Sequence, residues 1–298
     1  MSERRRVFIT GGGGQLASDL EAQLESLAEL HCPPHGDLDI TEDVAVARAF
    51  DSFEPDLVLN CAAFHNVEVC ETEEDRSFEV NARAVKRLAQ RCQEAGAKLV
   101  HFSTNYVFDG RSAEPYSETD PPSPRSIYGL SKLAGEYASL AYCDAALVVR
   151  SAGLYGLHGS ASKGGNFVTR MEARAREQGK LTMVSDQRLS PTYTADLAAA
   201  ILEAVGQDVT GILHLVAEGD CSWLEFTQAI MRLASIEVPI EGAKTTVEPG
   251  RADRPLNGVL ARTAAALAGL TPLRTWEDGL ADYMNRAGLI DAGSAQPP

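Results

Sequence analysis

Tyr128 and Lys132 stand four residues apart in the run Ser126-Ile-Tyr-Gly-Leu-Ser-Lys-Leu-Ala-Gly-Glu136, whose composition favours a helix. At that spacing two side chains share one helix face, which places an ammonium beside a phenol. A free tyrosine titrates near ~10, and a neighbouring cation favours the phenolate. The pair therefore predicts a proton transferable closer to neutral pH, with Tyr128 as a general acid. Upstream, Leu99 to Ser103 reads as a short apolar strand ending in hydroxyls, so Ser103 and Thr104 are candidates for the same site. Tyrosine and lysine at this spacing also occur on solvated helix faces, and the surrounding elements decide between the two readings.

Those elements alternate strand and helix. Arg6 to Thr10 is a β-branched and aromatic run, followed by a glycine turn and by Leu16, Leu20, Leu24 and Leu27 at helical spacing. Gly11-x-x-Gly14-x-x-Ala17 keeps small residues where a backbone must approach a pyrophosphate and where a helix N-terminus meets its charge. Glu29 to Pro34 is expected as the second strand, with Gly36 to Thr41 as the loop beyond it and Thr41 to Phe50 as a helix. Dinucleotide folds that select NAD commonly hold the ribose with a carboxylate at that strand end. Here Pro33, Pro34 and His35 stand there, which points to NADPH at least as much as NADH. Asp39 suits an adenine amino group or, alternatively, a loop or helix-cap role.

Pro55 to Ala63 predicts a strand buried on both faces, Asn81 to Gly96 an amphipathic helix, and Ala145 to Ser151 a further strand. The alternation predicts an α/β fold with a Rossmann-like doubly wound parallel sheet and a smaller C-terminal substrate-binding lobe. The expected boundaries are a dinucleotide-binding domain over 1–150, completed by 192–217, and the smaller lobe over 151–191 and 218–298. Within the latter part, Gly159 to Gly165 reads as a loop, Asn166 to Glu177 as a helix, Leu181 to Ser185 and Gly211 to Ala217 as strands. Thr194 to Val205, Trp223 to Leu233 and Trp276 to Arg286 read as helices, and Ala287 to Pro298 as a tail.

The 298-residue chain carries a formal net charge of -15, which argues against a nucleic-acid backbone as partner. Its six cysteines lack Cys-x-x-Cys spacing, against a zinc site or a disulfide framework. No run approaches the ~20 apolar residues of a membrane span, and Met1 to Arg6 precedes too short an apolar segment for a signal peptide. A cytoplasmic protein is expected.

Ser103-Thr-Asn-Tyr-Val-Phe-Asp-Gly110, Pro115-Tyr-Ser-Glu118, Tyr128-Gly-Leu-Ser-Lys132-Leu-Ala-Gly-Glu136, Gly165-Asn-Phe167, Asp186-Gln187 and Ser190-Pro-Thr192 together resemble the dTDP-4-dehydrorhamnose reductases, within the extended short-chain dehydrogenases. Asn60-Cys-Ala-Ala63 with Glu71, Asn81-Ala82, and Arg254-Pro255 before Val259-Leu260 follow the order of that family, so the resemblance runs almost end to end. It implies reduction of the 4-keto group of a dTDP-6-deoxy-4-keto-L-hexose by NADPH or NADH, giving dTDP-L-rhamnose. It also implies that Tyr128 protonates the new alkoxide, Lys132 holds the nicotinamide ribose and biases Tyr128, and Thr104 hydrogen-bonds the sugar oxygen. Candidate cofactor contacts are Gly11, Gly14, Gln15, Leu16, Asp39, Ile40, Ala62, Ala63 and Phe64, together with Tyr128 and Lys132. Candidate substrate contacts are Thr104, Asn105, Gly153, Asn166 and Arg254.

Three departures accompany the resemblance. Asn105 stands where the family usually has Asp, and Ala152-Gly-Leu-Tyr155 where it has Ser-Trp-Val-Tyr. Gly153 thus replaces an aromatic that packs on the sugar; either the pocket is open there, or Leu154 or a residue of 156–165 fills it. Some members bind magnesium at a dimer interface through glutamates, whereas Gln15 and Ser190 take the matching places here, so no metal is expected; the resemblance admits a homodimer. Two other functions remain open at this point: a 4-ketoreductase of another nucleotide deoxysugar, and a dinucleotide-binding regulatory subunit such as the β-subunit of methionine adenosyltransferase.

Overall fold

The computed structural model describes residues 4–159, 165–246 and 250–290. The first unit is β1 (Arg6–Thr10), α1 (Gln15–Leu24), β2 (Glu29–His31), α2 (Asp43–Phe53) and β3 (Leu57–Asn60). Two short helices, α3 (Val67–Thr72) and α4 (Glu74–Phe78), lead through a π turn (Glu79–Arg83) into α5 (Ala84–Ala95). Then come β4 (Lys98–Thr104), α6 (Ile127–Tyr142) and β5 (Ala146–Ser151). The remainder holds α7 (Phe167–Gln178), β6 (Leu181–Val184), β7 (Arg188–Leu189), α8 (Thr194–Gly206), β8 (Gly211–His214), β9 (Cys221–Ser222), α9 (Trp223–Leu233), β10 (Ile240–Ala243), α10 (Thr263–Leu267) and α11 (Trp276–Arg286).

Six strands form one parallel sheet in the order β2-β1-β3-β4-β5-β8. The chain reverses direction of winding between β1 and β3, which opens a crevice at the C-terminal ends of those strands. One face of the sheet presents Val7, Ile9, Leu57, Leu59, Val100, Leu147 and Val149 to a core shared with α1 and α8. The opposite face carries Phe8, Val58 and Leu99 toward α2 and α5. Both faces are covered, which is why the strands read as near-continuous apolar runs. A second core gathers Tyr155, Tyr193, Phe226, Trp276 and Tyr283 among α7, α9 and α11.

The face toward α6 is unusual in carrying two polar rows. Thr10, Asn60 and His101 are register partners on β1, β3 and β4. Ser103, Arg150 and His214 are register partners on β4, β5 and β8. Glu136 of α6 enters the second row, accepting Arg150 Nε at 2.9 Å and Nη2 at 2.6 Å, and it also accepts the Ser103 hydroxyl. Both members of this ion pair are buried, and Arg150 further lies over the Phe108 ring at 5.1 Å.

Several expected elements are trimmed. The second strand ends at His31 rather than Pro34, because Pro33 lacks an amide hydrogen for the ladder; a single bridge, Gly12 to Pro34, carries the chain beyond it. The third strand covers Leu57–Asn60 only, since Phe64 is drawn away by Asn81, whose amide accepts Phe64 N and donates to Phe64 O, both at 2.9 Å. The helix expected from Asn81 begins as the π turn, and Gly96 ends it in the left-handed region. Leu181–Val184 lies outside the main sheet, paired in parallel with β10, whose mixed Ile-Glu-Gly-Ala sequence has no strand periodicity. Most of the expected loop 159–165 and the expected tail beyond residue 290 lie outside the described residues.

Removing one partner of a buried bidentate pair leaves the other charge uncompensated, at a cost of about 3 to 5 kcal/mol. Arg150→Leu should therefore lower the free energy of unfolding by that order, measured by denaturant titration; a change under about 1 kcal/mol would show that Glu136 finds another partner or is neutral.

Candidate active site

Helix α6 starts where Ser126 accepts Gly129 N at 3.1 Å and Glu71 accepts Ile127 N at 2.8 Å. Two N-terminal amides are thus satisfied by side chains, which fixes the first turn and with it Tyr128. The helix lies unusually close to its neighbours. A Cβ at Gly129 would overlap the Tyr106 carbonyl, and one at Gly135 would overlap the Asn81 carbonyl and come within 3.0 Å of His101 Nε2. Asn81 also donates to Ser131 Oγ at 3.0 Å, tying the π turn to α6.

Tyr128, Lys132 and Thr104 line one cleft of about 1810 Å³ along the C-terminal edge of the sheet, and every other candidate cofactor or substrate contact named from the sequence lines it too. Thr104 hydrogen-bonds the Tyr128 phenol; its hydroxyl also accepts Tyr106 N at 3.2 Å. Tyr106 meets Tyr128 edge-on, with ring centroids 5.5 Å apart. Ser103 does not share this role, because its hydroxyl is held by Glu136.

The expected lowering of the phenol by Lys132 does not hold. Burial pushes Tyr128 above its ordinary value, and the bond from Thr104 only partly opposes that rise. Lys132 Nζ lies 3.4 Å from His101 Nε2. Burial lowers the ammonium to about 8, against the opposing charge of Glu136. Four-residue spacing brings the two residues to one helix face, but desolvation dominates the local field. A phenol held protonated in this way is an acid and not a resident phenolate.

The glycine turn fits a dinucleotide. At Gly11 and Gly12 a Cβ would overlap the Cys61–Ala62 and Cys32–Pro33 backbones, so the turn packs flush against β3 and the end of β2. At Gly13 there is open space on the cleft side. Helix α1 has Gly14 as its N-cap and no side chain capping its amides, leaving N–H groups that suit a pyrophosphate. Asp39 is engaged in its own turn, accepting Thr41 N and Oγ1 at 2.9 Å, so it does not cap α2. Cys32, Pro33 and Pro34 after β2 offer no carboxylate to repel a 2′-phosphate.

Other expected contacts are already engaged within the protein. Asn105 donates to Gly258 O at 3.2 Å. Asn166 caps α7 by accepting Thr169 N at 3.1 Å while donating to Gly156 O at 2.8 Å and Tyr283 Oη at 2.7 Å; it shapes the wall through Phe167. Gln15 accepts Gly156 N at 3.0 Å, and Ser190 donates to Gly219 O at 2.7 Å. Arg254 spans Glu68 Oε1 at 2.7 Å and Tyr106 Oη at 3.4 Å, with part of its side chain exposed.

At Gly153 the structure decides between an open pocket and a filled one in favour of the second. Its φ is +58°, and a Cβ there would lie 2.7 Å from Leu189 Cδ1 and 3.1 Å from Pro191 Cα. Among the described residues the place is filled by Leu189 and Pro191; residues 160–164 of the loop beyond Gly156 lie outside the described residues. Sequence reasoning also passed over His101, Asn60, Tyr106, and the cleft-lining pair Phe167 and Trp223, whose rings lie 4.4 Å apart. A histidine inside an apolar strand was the available signal for the first of these.

A family model described as RmlD substrate binding domain matches residues 5–288. The dTDP-4-dehydrorhamnose reductase of Mycobacterium tuberculosis is 38% identical over 286 residues, covering 93% of this chain and 91% of the relative. The dTDP-4-keto-6-deoxy-D-glucose reductase of Streptomyces niveus is 35% identical over 281 residues, covering 92% and 95%. Among solved structures, the dTDP-4-dehydrorhamnose reductase of Bacillus anthracis in complex with NADP superposes with a TM-score of 0.90 at 33% identity, covering 95% of this chain and 99% of that one.

Gly153→Trp should fail to improve sugar binding and should instead destabilise the protein, because the new side chain meets Leu189 and Pro191 from a left-handed backbone. A loss of ~2 kcal/mol or more in unfolding free energy is expected; a stable variant with lower KM for the sugar would show that this wall can open.

Proposed function

The chain belongs to the dTDP-4-dehydrorhamnose reductase family, and on that premise we propose how its cleft performs the reaction of an NAD(P)H-dependent reductase of dTDP-4-keto-6-deoxyhexoses. The observation that carries the residue assignment is the buried, protonated Tyr128 hydrogen-bonded to Thr104 beside Lys132 in one cleft. The dinucleotide, NADPH or NADH, supplies the hydride when bound. Residues 1–150 with 192–217 hold it, and 151–191 with 218–298 form the sugar lobe.

As hydride reaches the keto carbon, negative charge grows on the sugar oxygen. Tyr128 donates its proton to that oxygen, and Thr104 holds the phenol and the sugar oxygen in line. Both donors are placed before the charge appears, so their benefit falls mainly on the transition state. Lys132, held by His101, supplies positive charge at the nicotinamide ribose. The glycine turn and the N-terminus of α1 receive the pyrophosphate, with Gly11, Gly14, Gln15 and Leu16 at the turn, Asp39 and Ile40 at the adenosine, and Ala62, Ala63 and Phe64 along the opposite wall. Arg254, braced by Glu68, meets the diphosphate of the sugar nucleotide, while Asn105 and Asn166 shape the sugar wall through the bonds they already make.

A second reading keeps the chemistry and changes the sugar. A relative named dTDP-4-keto-6-deoxy-D-glucose reductase supports this reading, as does the place of Leu189 and Pro191 beside Gly153, where the family has an aromatic face. No described helix is long and apolar enough to cross a membrane, and the net charge of -15 offers no attraction to nucleic acid; we read the enzyme as cytoplasmic with a small-molecule partner.

Tyr128→Phe removes one hydroxyl and little else. With NADPH and either dTDP-4-keto-6-deoxyhexose, kcat should fall about 10²-fold or more while NADPH affinity, measured by fluorescence titration, stays within about threefold. Near wild-type kcat would remove Tyr128 as the acid; absence of turnover in the wild type with both sugars would favour a dinucleotide-binding regulatory role.

A further inference from the structure

Lys132 ends a hydrogen-bonded row that crosses three strands. Its Nζ is 3.4 Å from His101 Nε2; His101 Nδ1 is 3.1 Å from Asn60 Nδ2; and Asn60 Oδ1 accepts the Thr10 hydroxyl at 2.7 Å. Thr10 in turn accepts Ala62 N at 3.4 Å, and Ala62 lines the dinucleotide cleft. The sheet register sets the row, since Thr10, Asn60 and His101 are direct neighbours on β1, β3 and β4. All four side chains are buried, with at most 2% exposure. The other charged or titratable groups acting on Lys132 are Glu136, on its own helix and paired with Arg150 of β5, and the Cys61 thiol after β3.

We propose that His101 is a positioning residue that locks the charge of Lys132 to the orientation of Asn60, through two mutually exclusive hydrogen-bond settings of the row. When Lys132 is an ammonium, it donates to His101 Nε2, the ring hydrogen sits on Nδ1 and is accepted by the Asn60 carbonyl, and the Asn60 NH2 donates to Thr10. When Lys132 is an amine, Nε2 carries the ring hydrogen and donates to Nζ, the Asn60 amide turns by half a rotation to donate to Nδ1, and the Thr10 hydroxyl donates to the Asn60 carbonyl. The two settings differ by one proton, held on Nζ, and by the place of the ring hydrogen. An ammonium can only donate and so excludes the Nε2–H ring, whereas an amine accepts either tautomer; the Thr10 hydroxyl, which finds its Asn60 acceptor only when the Asn60 NH2 faces Nδ1, then selects the Nε2–H form. The ammonium setting leaves the Thr10 hydroxyl hydrogen without that acceptor, which acts in the same direction as burial. His101 stays neutral throughout, since burial and the neighbouring ammonium both lower it.

The inference rests on the reductase reading only for its consequence, that the charge beside the nicotinamide ribose is set from within the sheet; its test needs no turnover. Nitrogen-15 NMR of histidine rings in the full chain reports which nitrogen carries the hydrogen. Replacing His101 with Gln identifies its signal; if that variant does not fold, replacing His31, His35, His65, His158 and His214 in turn identifies it by elimination. From about pH 6 to about pH 10 the His101 ring should pass from the Nδ1–H to the Nε2–H form, with a midpoint near the value of about 8 to which Lys132 is lowered. In Lys132→Met the ring should hold one form over the whole range. A wild-type ring that keeps one tautomer, one that becomes doubly protonated within that range, or one that switches equally in Lys132→Met would each overturn the proposal.

Discussion

The close approach of α6 to the sheet is the constraint on which the site depends. Gly129 and Gly135 lack the side-chain carbon that would collide with Tyr106 and Asn81, and the helix therefore settles low enough for Lys132 and Glu136, one turn apart, to enter the two polar rows. Each row would be costly alone. A sheet face carrying Asn60, His101, Arg150 and His214 without partners would bury several unsatisfied groups. The helix resolves this by contributing a cation to one row and an anion to the other.

That arrangement explains the character of the Tyr128–Lys132 pair. The depth that satisfies the rows also removes Tyr128 and Lys132 from water, so burial controls both: the phenol keeps its proton and the ammonium is weakened. Around them the cleft is built by side chains that bond other protein groups first. Asn81 brackets Phe64, Asn166 braces Gly156 and Tyr283, and Gln15 reaches Gly156. Holding the walls by internal bonds of this kind keeps the donors in place before charge develops on the substrate.

Local pattern made much of this legible. The helices Trp223–Leu233 and Trp276–Arg286 have the bounds that their amphipathic spacing implies, and the Ser126 cap announces α6. The glycine turn and the Tyr128–Lys132 spacing led to the cleft, and the chain of short motifs led to the family. What escaped was set by residues distant in sequence. The parallel partner of Leu181–Val184 lies more than fifty residues away in a segment with no alternation. Leu189 and Pro191 occupy the place beside Gly153, which the immediate neighbours of Gly153 could not reveal. The field on Tyr128 depends on how deeply α6 sits, and the role of His101 on which residues of β1 and β3 fall beside it; neither is written in the spacing of two residues on one helix.

The central claim is that this cleft brings a dinucleotide and the C4 ketone of a dTDP-6-deoxyhexose together, with Tyr128 closing the reaction by a proton. Turnover with NADPH carrying deuterium at the transferable nicotinamide position, followed by proton and deuterium NMR of the sugar product, tests it directly. The account predicts deuterium on C4 of the hexose. Deuterium at another ring carbon, or a product whose C4 carries none while NADPH is consumed, would contradict it.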